Sequence, residues 1–242
     1  MPHSLFISDL HLSEEQPQIT RLFLHFLRHN AQQAEALYIL GDLFEYWAGD
    51  DDLDAPLHRQ VSDALHALSD KGTRIFLMHG NRDLLMGEAL AAACGATLLP
   101  DPTLIDLYGT PAIISHGDAL CTDDAEYQAF RSQVRNPEWQ RHFLAQPLAQ
   151  RKAFIEKVRA QSEQNKQTKA YDIMDVNPSA VEAMLRQHAA PLLIHGHTHR
   201  MAEHRLTVDG RSCTRWVLGD WHAGHGNALK CAPHGCALVA FS

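Results

Sequence analysis

The ten residues Leu192–Met201, LLIHGHTHRM, decide how the rest of the chain is read. Leu192, Leu193 and Ile194 form an apolar run of the kind that ends a buried strand. His195, His197 and His199 then follow at alternate positions. Alternate side chains of an extended backbone point the same way, and Gly196 lets the chain turn as it leaves the sheet. The imidazoles would gather at the carboxyl end of a strand, where open α/β sheets bind their ligands. On that spacing His195 and His197 are predicted to point into a site, with His199 orienting a neighbour rather than ligating. Taken alone, the segment reads equally well as a cluster of exposed loop histidines.

Four other apolar runs end in the same manner. They are SDLHL with Asp9 and His11, LGDLFE with Asp42, HGNRD with Asn81 and Arg82, and SHGD with His116. Singly, Asp and Asn after a strand are ordinary turn and cap residues. Five such endings in succession predict one shared metal centre, liganded by Asp9, His11, Asp42, Asn81, His116, His195 and His197. Two divalent cations about 3.5–4 Å apart require a bridging carboxylate, for which Asp42 is the natural choice. Carboxylate, imidazole and amide oxygen without thiolate favour manganese or a similar borderline ion over structural zinc. Such a pair of ions lowers the pKa of water and readies it for in-line attack at phosphorus.

The first half of the chain alternates two periodicities. SLFIS, ALYIL and TRIFLMH read as strands. Ile19, Leu22, Phe23, Phe26 and Leu27 mark one helix face, and Leu57, Val61, Leu65 and Leu68 another. A third helix is predicted over Leu84–Ala93, and strands over Leu104–Leu107 and Ala112–Ser115. This alternation predicts an α/β fold with parallel pairing. After Met201 strands recur without helices, around Glu203–Val208, Thr214–Leu218 and Ala237–Phe241. Between the halves lies a helix-rich insertion, 122–187, which leaves 1–121 and 188–242 as the core. From Arg131 to Lys169 it carries nine Lys or Arg against three Glu, in a chain whose net charge is −8. The run, with Phe154, Ile155 and Val158 on one side and Lys152 and Arg159 away from it, reads in two ways. It is a solvated helix face, or an apolar and cationic surface for an amphiphilic anion or a membrane. Asp50, Asp51 and Asp52 read as a solvated turn rather than a third metal site.

At 242 residues, 45% hydrophobic and 21% charged, the chain has the composition of a soluble globular protein. Its negative balance argues against nucleic acid as a partner. Five scattered cysteines with no CxxC pair predict neither a disulfide framework nor a zinc ribbon, and point to a reducing cytosol. The amino terminus lacks the basic and apolar regions of a signal peptide, and no apolar run reaches the length of a membrane span.

The clusters D-x-H, GD, GN-x-D, H and GH-x-H, from Asp9 to His199, resemble the calcineurin-like metallophosphoesterase superfamily. The resemblance implies a four-layer α/β/β/α sandwich with a dinuclear site at the strand ends. It suggests Asp9, His11 and His197 on one metal, Asn81, His116 and His195 on the other, and Asp42 shared. Many members carry a histidine after the GN asparagine, where this chain has Arg82. An arginine does not act as a general acid, but it forks onto phosphate oxygens and stabilises developing charge. That suits a leaving group needing no proton, as in pyrophosphate cleavage. With Arg82, the stretches YILGDLFEYWAGDDD, HGNRDLLMG, SHGDALCTDDAEYQAFR and AYDIMDVN resemble the manganese-dependent UDP-2,3-diacylglucosamine diphosphatase family of lipid A biosynthesis. That likeness runs over nearly the whole chain. It implies two Mn2+ ions and water attack on the α phosphorus of UDP-2,3-diacylglucosamine, giving UMP and 2,3-diacylglucosamine 1-phosphate. It also implies a cap over the lipid and a monomer resting on the cytoplasmic face of the inner membrane. The candidate catalytic residues are then Asp42, Arg82 and His116. The candidate substrate contacts are Asn81, Arg82, Asp124, Ser162, Lys166, Lys169 and His195. Tyr127 and Phe130 either line an acyl slot or belong to the core. The alternative is the same centre acting on another nucleotide or phosphoester.

Overall fold

Strand β1 (Ser4–Ile7) displays the layering in four residues. Leu5 and Ile7 enter one apolar cluster and Phe6 another. The same period of two runs through β2 (Ala36–Ile39), where Leu37 and Ile39 share the first cluster and Ala36 and Tyr38 the second. It continues in β3 (Arg74–Met78), with Ile75 and Leu77 opposed to Met78. Strands buried on both faces carry unbroken apolar runs, which is why these segments stand out in the sequence. The first cluster lies against helices α1 (Pro17–His29), α2 (Pro56–Ser69) and α3 (Glu88–Ala93). The computed structural model describes residues 1–166 and 175–242, with side chains 162–166 outside the description.

Strands β4 (Ala96–Leu99), β5 (Thr103–Leu107) and β6 (Thr110–Ser115) precede four helices. These are α4 (Ala125–Val134), α5 (Pro137–Leu144), α6 (Leu148–Lys166) and α7 (Pro178–Gln187). The chain closes with β7 (Leu192–His195), β8 (Ala202–Val208), β9 (Arg211–Val217), β10 (Gly226–Ala232) and β11 (Gly235–Phe241). One sheet runs β11-β10-β1-β2-β3-β4 and the other β5-β6-β7-β9-β8. The second apolar cluster fills the space between them, with Phe6, Tyr38 and Met78 meeting Ala112, Ile114, Ile194 and Trp216. A third, of Ile113 and Leu193 with Val181 and Leu185, lies under α7. The order helix, sheet, sheet, helix is the expected α/β/β/α sandwich. Parallel pairing holds for β1-β2-β3-β4 and for β6-β7-β9, so the carboxyl ends of β1, β2 and β3 share one edge, as do those of β6 and β7.

The departures have local causes. Helix α3 begins at Glu88 rather than Leu84, because the Asp50 carboxylate accepts the N–H groups of Gly87, Ala89 and Leu90 and caps that start. The Asp50–Asp52 turn is solvated only in part, with Asp51 exposed. Asp52 is buried and paired with Lys152 at 2.7 Å, and Asp51 holds Arg151. Strand β10 escapes the apolar pattern because Gly226, Asn227 and Lys230 dilute it, yet it pairs with β1. Helix α7, read from sequence as part of the insertion, packs on β6 and β7 as their crossover helix. Cys231 and Cys236, register partners on β10 and β11, form a disulfide that the scattered spacing did not foretell.

Phe6, Tyr38 and Phe76 stack ring on ring across β1, β2 and β3, with centroids 4.7 Å apart at each step. Phe6 has no exposed surface. Phe6→Ala should therefore lower unfolding free energy by about 4 kcal/mol, read as a fall in the urea midpoint at unchanged slope.

Candidate metal centre

The strand ends bring their loops together by close backbone approach. A Cβ on Gly80 would collide with the Asp42 carboxylate, and one on Gly196 with Ser8 and the Asp9 carboxylate. Each G-x motif thus seats an acid from a neighbouring loop against bare backbone. The loops are also strained. Asp9, His11, Asp42, His197 and His199 all have positive φ, between 50° and 68°. Such conformations cost roughly 1–3 kcal/mol each and persist where surrounding structure imposes them.

Asp9 is wholly buried. Its Oδ2 accepts from Ser8 Oγ and from the His197 N–H at 2.9 Å, while Oδ1 has no hydrogen bond and lies 3.4 Å from His199 Nε2. Asp42 Oδ1 accepts the Arg82 N–H at 2.8 Å. Its Oδ2 stands between two imidazoles, 3.9 Å from His11 Nε2 and 3.8 Å from His116 Nε2. That is where a bridging carboxylate belongs. His116 Nδ1 contacts Leu40 O at 2.9 Å, and Nε2 lies 3.0 Å from Asn81 Oδ1. With the Nδ1 proton on the carbonyl, Nε2 is a lone pair facing two oxygens, an arrangement that only a proton or a metal ion makes favourable. Burial opposes charge on His116, but Asp42, Asp118 and Asp9 lift it to about 9.

Outer partners hold the other rings. His11 Nδ1 faces Glu45 Oε2 at 3.1 Å, and His199 Nδ1 faces Asp220 Oδ2 at 3.3 Å. The His197 ring lies between His116 and Tyr127, with centroids 5.1 and 5.8 Å away, and burial pushes it down to about 4. A neutral imidazole is the ligand form.

Two groups of three have ligand atoms all within 4.8 Å of one another: Asp9, His11 and His199, and Asp9, Asp42 and His116. Of the seven ligands read from sequence, the structure brings together Asp9, His11, Asp42, Asn81, His116 and His197. His195 is the correction. It is wholly buried at the end of β7, with Nδ1 on Gly196 O at 2.9 Å and Nε2 3.2 Å from Arg215 Nη1. Burial drives it down to about 3. His199, expected not to ligate, takes the place beside Asp9. The alternation argument fails because the backbone leaves the extended region at His197 and His199. The orphaned Asp9 oxygen, the Asp42 oxygen between imidazoles and the Nε2 of His116 together fit divalent cations.

Asp124 is buried and caps α4 through the Tyr127 N–H. Ser162 and Lys166 have side chains outside the described residues, as does Lys169 entirely. Four acids went unread in the sequence. Asp83 accepts the N–H groups of Asp42, Leu43 and Gly80, lacing two site loops together, and burial with Asp42 nearby raises it to about 6. Asp118 receives Tyr127 Oη, Arg131 and Arg135 from α4 and the residue after it. Glu45 and Asp220 are the outer partners named above. Asp83, Asp118 and Glu45 lie inside the quoted motifs, where residue type gives them no separate role.

A model of the calcineurin-like phosphoesterases matches residues 3–201. The chain belongs to that family. Relatives of this calcineurin-like phosphoesterase match along most of its length. It is 60% identical to the UDP-2,3-diacylglucosamine hydrolase of Aromatoleum aromaticum, over 90% of this chain and 89% of that one. Identity is 54% to that of Cellvibrio japonicus and 50% to that of Salmonella typhi, each over 98% of both chains.

His199→Ala should weaken Mn2+ binding by on the order of a hundredfold or more, and His195→Gln by less than about threefold. Titration of the metal-stripped variants reads both, and the reverse ranking would return His195 to the ligand set.

Proposed function

We propose that the protein hydrolyses the pyrophosphate bond of UDP-2,3-diacylglucosamine by water attack on the α phosphorus, releasing UMP and 2,3-diacylglucosamine 1-phosphate. The observation that carries this reading is 50–60% identity to UDP-2,3-diacylglucosamine hydrolases over 90% or more of the chain, on a site with a carboxylate between two imidazole groups. Asp9, His11 and His199 would hold one ion and Asn81, His116 and His197 the other, with Asp42 common to both. Two Mn2+ ions there would supply an activated water and draw charge from the phosphoryl oxygens.

The remaining chemistry belongs to the chain. The Arg82 backbone N–H donates to Asp42 Oδ1, and its guanidinium lies 3.5 Å from Glu45. It would fork onto phosphate oxygens and stabilise the charge that builds in the transition state. The leaving group, 2,3-diacylglucosamine 1-phosphate, departs as a phosphate anion and needs no proton, so the missing histidine after Asn81 is no handicap. His116, with both ring nitrogens engaged, serves as a ligand rather than a proton donor. Asn81, Asp124, Ser162, Lys166 and Lys169 remain the candidate substrate contacts, and Tyr127 walls the site beside His197.

The acyl chains need an apolar neighbour, and the insertion exposes Phe130, Leu144 and Phe154. Its cations support a different reading from the one composition invited. Arg151, Lys152 and Arg159 pair with Asp51, Asp52 and Glu45 of the core, so they dock α6 instead of facing outward. Among the described residues no helix is long and apolar enough to cross a membrane. We read the protein as a cytoplasmic monomer that meets the inner membrane peripherally through the apolar side of the cap.

Asp42→Ala should abolish turnover, because it removes the ligand common to both ions. Arg82→Ala should lower kcat by on the order of a hundredfold or more. UMP release from the acylated UDP-sugar should far exceed that from its deacylated form; equal rates would make this a phosphoesterase for another substrate.

A further inference from the structure

Glu45 sits three residues beyond Asp42, and its carboxylate meets three cationic or imidazole groups from three parts of the chain. Oε2 is 3.1 Å from His11 Nδ1, in the loop after β1. Oε1 accepts from Arg159 Nε at 3.1 Å and Nη2 at 2.7 Å, both from α6 of the insertion. Arg82 Nη1, in the loop after β3, lies 3.5 Å from the same oxygen. The side chains of Glu45, His11, Arg82 and Arg159 are only 13–28% exposed, which separates this cluster from an ordinary surface ion pair. Its backbone is fixed as well, since the Glu45 N–H donates to Leu12 O, next to His11, at 3.0 Å. The Arg159 guanidinium also lies over the Tyr46 ring, 5.7 Å from its centroid.

We propose that Glu45 is a positioning residue that couples the docking of the cap helix to the metal centre, one oxygen orienting His11 and the other gathering Arg82 and Arg159. A carboxylate on the outer nitrogen of a ligating imidazole fixes its tautomer and turns the other nitrogen to the metal. Here Glu45 leaves His11 Nε2 facing Asp42. The same carboxylate gives Arg82 and Arg159 a common anchor, so a displaced α6 would withdraw one of the cations that hold Glu45 against His11. Cap position and ligand geometry therefore move together. The inference rests on the metal centre proposed above.

The test uses the full-length, metal-stripped protein, with Mn2+ titration followed by electron paramagnetic resonance and amide exchange of residues 148–161. Glu45→Gln should weaken Mn2+ binding by about 10–100-fold and speed exchange in α6. Arg159→Gln should speed exchange in α6 while weakening Mn2+ binding less than Glu45→Gln does. The double variant should exchange no faster there than Glu45→Gln alone. Wild-type Mn2+ affinity in folded Glu45→Gln, or unaltered α6 exchange in it, would overturn the coupling. If Glu45→Gln does not fold, Arg159→Gln decides alone, and unchanged α6 exchange in it would overturn the proposal. Failure of the wild-type protein to bind Mn2+ would instead strike the metal centre itself.

Discussion

Asp9, Asp42, Asp83 and Asp118 are all 0–2% exposed, gathered at the ends of adjacent strands. An ionised carboxylate taken out of water loses several kcal/mol of solvation unless charge or hydrogen bonds replace it. Two of the four are provided for within the chain: Asp83 by three or more backbone N–H groups, Asp118 by two arginines and a phenol. Asp9 and Asp42 each have only one oxygen hydrogen-bonded by the chain, while Asp9 Oδ1 and Asp42 Oδ2 face imidazoles. Balancing these two buried oxygens is the constraint on which the site depends. Cations answer it, and the strained loops, the bare glycines and the outer carboxylates all serve to hold it open.

The same electrostatics explains the cap. Much of its basic composition is turned toward the core, while Arg141 and Lys157 stay exposed. In the structure Arg131 and Arg135 converge on Asp118, Arg159 on Glu45, and Arg151 and Lys152 on Asp51 and Asp52. Arg151 is almost wholly buried and also donates to the Ala48 and Gln146 carbonyls. An acidic core and a basic insertion are thus complementary surfaces of one chain. Two of the docking acids, Glu45 and Asp118, lie in loops that also carry metal-facing residues, which puts cap and centre in one network.

Much of this was legible in the residues. The strands β1, β2, β3, β6 and β7 are doubly buried and therefore unbroken apolar runs, and each ends in a motif rich in metal-ligand residues. The clusters at Asp9, Asp42, Asn81 and His116 could be assigned from residue type alone. What sequence could not settle was which two of three alternate histidines turn inward, since that depends on where extended backbone gives way to the left-handed region. It also could not reveal acids such as Glu45 and Asp220, whose roles arise only when distant loops meet. Strand β10 was hidden for the opposite reason: Asn227 is buried, but its amide is spent on Gly219 and Asp220, so a polar residue stands inside a core strand.

The most direct test is a crystal of the protein grown with Mn2+ and measured at the manganese absorption edge. The account predicts two anomalous peaks flanking the Asp42 carboxylate, one against Asp9, His11 and His199 and the other against Asn81, His116 and His197. A pocket with no peak beside Asp42, or a peak coordinated by His195 in place of His199, would contradict it.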